Sequence, residues 1–163
     1  MEINGIAHIH INVNNLKECM PFYEKILGFM GMIPVVKSKW GIYMIGGKTA
    51  VCVTRSTPEH RDAKFEQRRI GLHHVCFRAK NRESVEEMHE FLKKEKVKIV
   101  HPPEEGPWAP GYYSLLFEDP DGIRLEINHV PLKGLLGSTE GDHEFLKKLP
   151  LDYFPGYEDY EEM

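Results

Sequence analysis

Three stretches of this chain hold residues that could do chemistry together. His8 and His10 lie in IAHIHINV (6–13), His73 and His74 in GLHHVCFR (71–78), and Glu126 in RLEI after the DPDG run at 119–122. Alternation along 6–13 puts His8, His10 and Asn12 on one strand face and Ile9, Ile11 and Val13 on the other. Imidazoles and a carboxylate inside strands are costly to bury unless they are paired, and a divalent metal is the usual reason to bury them together. His10 shares the face of His8 and is the first choice for proton transfer. Asn12 is a polar contact on the same face. Arg124, on the face of Glu126, is a candidate for holding an anionic group. Tyr112 and Tyr113 point to opposite sides of a strand, so one of them lines a cavity; Tyr113 is taken as the candidate. His60, His89, His101 and His143 fall in stretches where exposure is the ordinary state.

The elements that must position these residues run in the same order twice. After the first strand, Asn15 and Glu18 read as a capping box for a helix that Pro21 should bend or shift and Gly28 should stop. Strands follow near 30–36, 40–46 and 49–55, with Gly46–Gly47 as the hairpin turn. A second strand at 72–78 leads to a helix capped at Ser84–Glu87 and running to about 95. A strand near 97–100, a Pro/Gly-rich loop and strands at 112–118 and 123–129 around DPDG complete the set. The organisation predicted is a first module at 1–56, a linker at 57–70, a second module at 71–130 and a C-terminal extension at 131–163. That extension ends acidic and aromatic; Tyr153 and Phe154 are held as a flap over a groove, the rest as a surface extension.

Bulk composition narrows the classes. The chain has 163 residues, 41% hydrophobic and 28% charged, and a net charge of -4. One domain, or two small halves sharing a core, suits that length. The charge gives no electrostatic case for nucleic acid. No apolar run is long enough to span a membrane, and MEINGIAHIH lacks the pattern of a signal peptide. Cys19, Cys52 and Cys76 are odd in number and widely spaced, which fits reduced thiols in a cytoplasm.

Paired strand–helix–three-strand halves, with HxxxxV in the first strand, HHxxF in the fifth and DPDGxxxE at the end, resemble the vicinal oxygen chelate superfamily over residues ~5–130. That superfamily includes glyoxalase I, extradiol dioxygenases, fosfomycin-resistance proteins, methylmalonyl-CoA epimerase and bleomycin-binding proteins. The resemblance implies an α+β fold of two βαβββ modules forming a cupped, partly closed mixed sheet around one metal, and a homodimer. It assigns the metal ligands to His8, His74 and Glu126. Two imidazoles and a carboxylate suit Fe, Mn, Ni, Co or Zn and leave positions open for substrate oxygens. The family's fourth ligand falls on Cys52, so that ligand is either absent or a thiolate; Cys52 otherwise counts among the substrate contacts.

Departures from the family pattern exclude some branches. Glyoxalase I carries an arginine where this chain has Asn12. Extradiol dioxygenases and fosfomycin-resistance proteins carry a tyrosine where this chain has Leu116. The expected function is therefore a divalent-metal-dependent enzyme acting on a small substrate that chelates the metal through neighbouring oxygens. Its chemistry is lyase, isomerase or dioxygenase, with Glu126 and His10 as the catalytic candidates. The alternative is a metal-independent small-molecule binder of the bleomycin-resistance type.

Overall fold

The computed structural model describes residues 5–131. The Tyr153–Phe154 flap expectation lies outside these described residues. The described residues are α+β, with two four-stranded mixed sheets and two helices, as expected for paired modules. Neither sheet closes into a barrel. In chain order the elements are β1 (Ile9–Val13), α1 (Leu16–Phe29), β2 (Ile33–Ser38), β3 (Gly41–Gly46) and β4 (Thr49–Arg55). A 3-10 turn at Pro58–His60 precedes β5 (Val75–Arg78), α2 (Arg82–Lys94), β6 (Ile99–Glu105), β7 (Tyr113–Glu118) and β8 (Arg124–His129). The residues group into two compact units. One holds the described chain up to Val75 together with Phe117–Leu125; the other holds Cys76–Leu116 and resumes at Glu126.

The first sheet has the order β1-β4-β3-β2, with β1 parallel to β4 and the other pairs antiparallel. Every second residue is apolar and buried: Ile11 and Val13 on β1, Ile42 and Met44 on β3, Val51 and Val53 on β4. Helix α1 turns Leu16, Cys19, Tyr23, Ile26 and Leu27 inward and packs on β3 and β4. Each large apolar side chain so buried contributes about 1.5–3 kcal/mol. The same alternation leaves His10, Asn12, Cys52 and Thr54 on the opposite face, where His10 lies across from Cys52 and Asn12 across from Thr54. The second sheet has the order β5-β8-β7-β6, and α2 buries Val85, Met88 and Leu92.

Several local expectations need correction. Strands β1 and β5 begin later than their apolar patterns, so His8, His73 and His74 precede them. The chain before β1 still runs beside β4, because Ala50 N–H donates to Ala7 O. The first hairpin turns at Gly47–Lys48, both with positive φ, as a two-residue turn matching strand twist requires. The start of the Pro/Gly-rich segment expected as a loop, residues 101–105, belongs to β6, which tolerates Pro102 and Pro103 because it is an edge strand; the rest of that segment connects β6 to β7. Helix α1 passes through Pro21 unbroken; Pro21 is exposed, so the carbonyl it leaves without an intrahelical donor can meet water.

The helix ends also differ from expectation. The Asn15 side chain makes no cap on α1, and α1 runs through Gly28 to Phe29, with Gly31 after the C-cap Met30 as the glycine that closes it. Gly31 at φ 82 lets its own N–H reach Gly28 O and Met32 N–H reach Leu27 O, closing the last turn. Helix α2 starts earlier than the Ser84 box: Asn81 accepts from Ser84 N–H at 2.9 Å and from the Ser84 hydroxyl at 2.6 Å.

Candidate functional site

In the first unit the chemistry gathers on the face of β1 and β4 turned away from α1. The Thr54 hydroxyl donates to Asn12 Oδ1 at 3.0 Å. Its oxygen sits 2.8 Å from His10 Nε2. A threonine hydroxyl has one proton to give, and here Asn12 takes it. The His10 contact is therefore an Nε2–H donating to Thr54, which leaves Nδ1 as the basic nitrogen of the neutral ring. Cys52 is half-buried opposite His10, and burial pushes its thiol pKa up, away from the reactive thiolate.

A groove runs past this face. One lobe of about 400 Å³ is lined by His10, Asn12, Lys64, Phe65, Ile70 and Leu72, among others. A second lobe of about 290 Å³ shares Asn12, Lys64 and Phe65 and adds Ser56 and His60. The stretch expected as a linker thus supplies one wall. Its neighbours form a polar chain. Arg124 Nη1 donates to Gln67 Oε1 at 2.5 Å, Gln67 Nε2 lies 3.2 Å from His73 Nδ1, and His73 Nδ1 lies 2.7 Å from His74 Nδ1. Arg124 also faces Glu118 at 3.5 Å. The expected anion contact is therefore already engaged by two side chains. Strand alternation would turn His73 away from His74. The two precede β5, where strand alternation does not govern them, and their rings meet at 5.0 Å.

Two carboxylates of the DPDG turn, read from sequence only as a turn signal, have structural work in the same unit. Asp119 is buried and accepts from the Tyr23 hydroxyl at 2.9 Å and from the N–H groups of Asp121 and Ile123. Burial raises its carboxyl pKa from 3.8 to about 6, against the lowering effect of those hydrogen bonds. Asp121 accepts from the N–H of Asn14 at 2.5 Å and of Asn15 at 3.1 Å, and so caps α1. Cys19, fully buried beside both carboxylates, has its thiol pKa pushed up by burial first and then by the two charges.

In the second unit Glu126 is 7% exposed and accepts from the Tyr112 hydroxyl at 2.5 Å. Burial, then the Glu126 hydrogen bond and charge, push the Tyr112 hydroxyl pKa up. Cys76 keeps an open side, yet the protein around it and the adjacent Glu126 carboxylate push its thiol up as well. Tyr113, the residue picked from sequence, faces α2 instead: its hydroxyl donates to Glu86, and the Arg82 guanidinium stacks 3.9 Å from its ring centre. Alternation foretold that the two tyrosines part; only the fold shows which one meets the carboxylate.

The three residues that the resemblance assigns to a metal are two imidazoles and one carboxylate. His8 and His74 belong to the first unit and Glu126 to the second. Among the described residues, no three His, Cys, Asp or Glu side chains gather into a group that could hold a metal ion. No helix there is long and apolar enough to cross a membrane.

Comparison with known proteins agrees with this architecture. A profile of the glyoxalase/bleomycin resistance protein/dioxygenase superfamily matches residues 5–127. The crystal structure of a candidate glyoxalase from Bacillus halodurans is similar, with a TM-score of 0.69 and 30% identity, covering 78% of this chain and 96% of that one. A lactoylglutathione lyase from Agrobacterium tumefaciens has a TM-score of 0.60 at 18% identity, covering 79% and 96%, and so shares the fold. Among curated proteins, the uncharacterised YqjT of Bacillus subtilis is 25% identical over 122 residues, 74% of this chain and 94% of that protein.

Proposed function

The chain belongs to the glyoxalase/bleomycin resistance protein/dioxygenase superfamily, and from that premise we propose that it is a divalent-metal-dependent enzyme acting on a small molecule through two neighbouring oxygens, with lyase, isomerase or dioxygenase chemistry. His8, His74 and Glu126 are the ligands in this reading. The observation that carries it is Glu126, a carboxylate buried in a strand and held in one orientation by the Tyr112 hydroxyl. Such a group is costly to bury for packing alone. Iron, manganese, nickel, cobalt or zinc would supply Lewis-acid stabilisation of charge developing on the substrate oxygens.

The chain's own residues supply the remainder. His10, oriented by Thr54, presents Nδ1 to take a proton from a molecule in the groove. Asn12 and Phe65 flank it. A homodimer in a reducing cytoplasm accompanies this reading. Ile33, Val35, Val36 and Trp40, exposed on and beside the edge strand β2, support an association surface there.

A metal-independent binder of small molecules is the second reading. The superfamily's name includes bleomycin resistance proteins, which supports it. Elemental analysis of untagged protein purified without chelators separates the two, run on wild type and on His8→Ala, His74→Ala and Glu126→Ala. Near-stoichiometric metal, lost in all three variants, is expected. No metal in wild type and none taken up on reconstitution sinks the enzyme and leaves the binder.

A further inference from the structure

The charged side chains lining the groove of the first unit balance in number, Lys64 and Arg69 against Glu66 and Asp121, but they differ in whether they have a partner. Its anions are committed: Asp121 to the first N–H groups at α1, and Glu66 to Arg69 at 3.6 Å. Of its two amides, Asn14 donates to Ala63 O and accepts from Ser56, and Asn12 Oδ1 accepts from Thr54. Lys64 lines both lobes and has no hydrogen bond or ion pair among the described residues. Beside it lie Phe65, half-buried, and Ile70 and Leu72, which expose apolar surface along the same wall. One uncommitted ammonium next to an apolar wall is complementary to an amphiphile with a single negative charge.

The donors also set the kind of anion. A phosphate dianion calls for an array of N–H groups or a guanidinium fork. The amides at the start of α1 already hold Asp121, and Arg69 leans on Glu66. A lone lysine is a point charge suited to a monoanion. The lobes, about 400 and 290 Å³, are of a size for a small organic molecule.

We propose that this groove binds a small carboxylate with an apolar body, its carboxylate on the Lys64 ammonium and its body against Phe65, Ile70 and Leu72. This names the substrate class of the site proposed above and rests on that reading for the groove being the working site. It does not rest on the metal.

The test uses hydrocinnamate and its neutral amide as probes, titrated into the full chain and followed by amide-resonance NMR. Wild type, Lys64→Met and Lys64→Arg are compared, with and without chelator. Wild type is expected to bind the acid about fivefold more tightly than the amide, as a solvent-facing ion pair allows. Shifts should fall on residues 63–65 and 70–72. Lys64→Met should bind the two equally, Lys64→Arg should keep the preference, and chelator should change neither result. Equal binding by wild type, a preference that survives in Lys64→Met, shifts elsewhere, or no binding of either probe overturns the inference. A preference abolished by chelator assigns the carboxylate to a metal, which overturns Lys64 while supporting the metal reading. A Lys64-dependent preference in protein that takes up no metal does the reverse.

Discussion

The two helices of this chain have matching places in matching halves, yet they are held at their N-termini by different means. Helix α2 is capped by its own neighbour, Asn81, three residues from the N–H it serves. Helix α1 has an asparagine in the equivalent place that caps nothing, and takes its anion from Asp121, more than 100 residues further along the chain. A local cap forms as the helix forms. A distant cap forms only once the β7–β8 turn is in place, so α1 reports on the tertiary structure of its unit and α2 does not. Asp119, two residues before Asp121, reinforces the difference by taking the Tyr23 hydroxyl of α1.

The comparison can be broken from the α1 side. Asp119→Ala should have the largest effect, a loss of about 3 kcal/mol in urea unfolding, because it strands the buried Tyr23 hydroxyl and two backbone N–H groups. The same residue sets a pH dependence. Its carboxyl sits at about 6 in the folded chain and near 3.8 when unperturbed, so the folded state holds the proton more tightly. Its favourable contribution is full below about pH 4 and is lost as pH rises through about 6. Asp119→Asn should flatten that slope between pH 4 and 7. An unchanged slope would assign it to another group.

Next in size, Asp121→Ala should cost about 2 kcal/mol and Asn81→Ala about 1 kcal/mol, since the first removes two charge-assisted contacts and the second a single cap. Equal losses would remove the distinction between distant and local capping. The C-termini offer the smallest test. Helix α1 is closed by Gly31 with positive φ, and α2 is closed in the same way by Lys96 at φ 57. A side chain pays there for a conformation that glycine adopts freely. Lys96→Gly should raise stability by about 0.5–1 kcal/mol, a thermal shift of a few degrees, and Gly31→Ala should lower it by about as much.

Much of the fold was legible because it is periodic. Apolar alternation in 6–13 and 49–55, the stripe Val85–Met88–Leu92 and the DPDG turn are short-range patterns set by backbone geometry, and the element order follows from them. Errors fell where geometry is not local. The prolines of β6 read as a loop, because edge position in a sheet is not written in the neighbouring residues. Asn15 and Glu18 read as a capping box, because nothing nearby announces a competing carboxylate. Among the candidate site residues, the shared face of His10 and Asn12 followed from alternation. Tyr113 was chosen where Tyr112 meets Glu126, and Arg124 was cast as an anion contact where Gln67 and Glu118 engage it.

The sequence by itself determined the two repeated halves, the α+β class, the superfamily and the residue types available for chemistry, since each depends on spacing over a few residues or on motif order. Only the tertiary structure decided which of those side chains are committed. It spends Asp121 on a helix end, Asp119 on Tyr23, Tyr112 on Glu126 and Thr54 on Asn12, and leaves Lys64 facing a groove. A hydrogen bond needs its partners within about 3 Å. Several of these partners stand far apart in the chain, and that proximity exists only after folding.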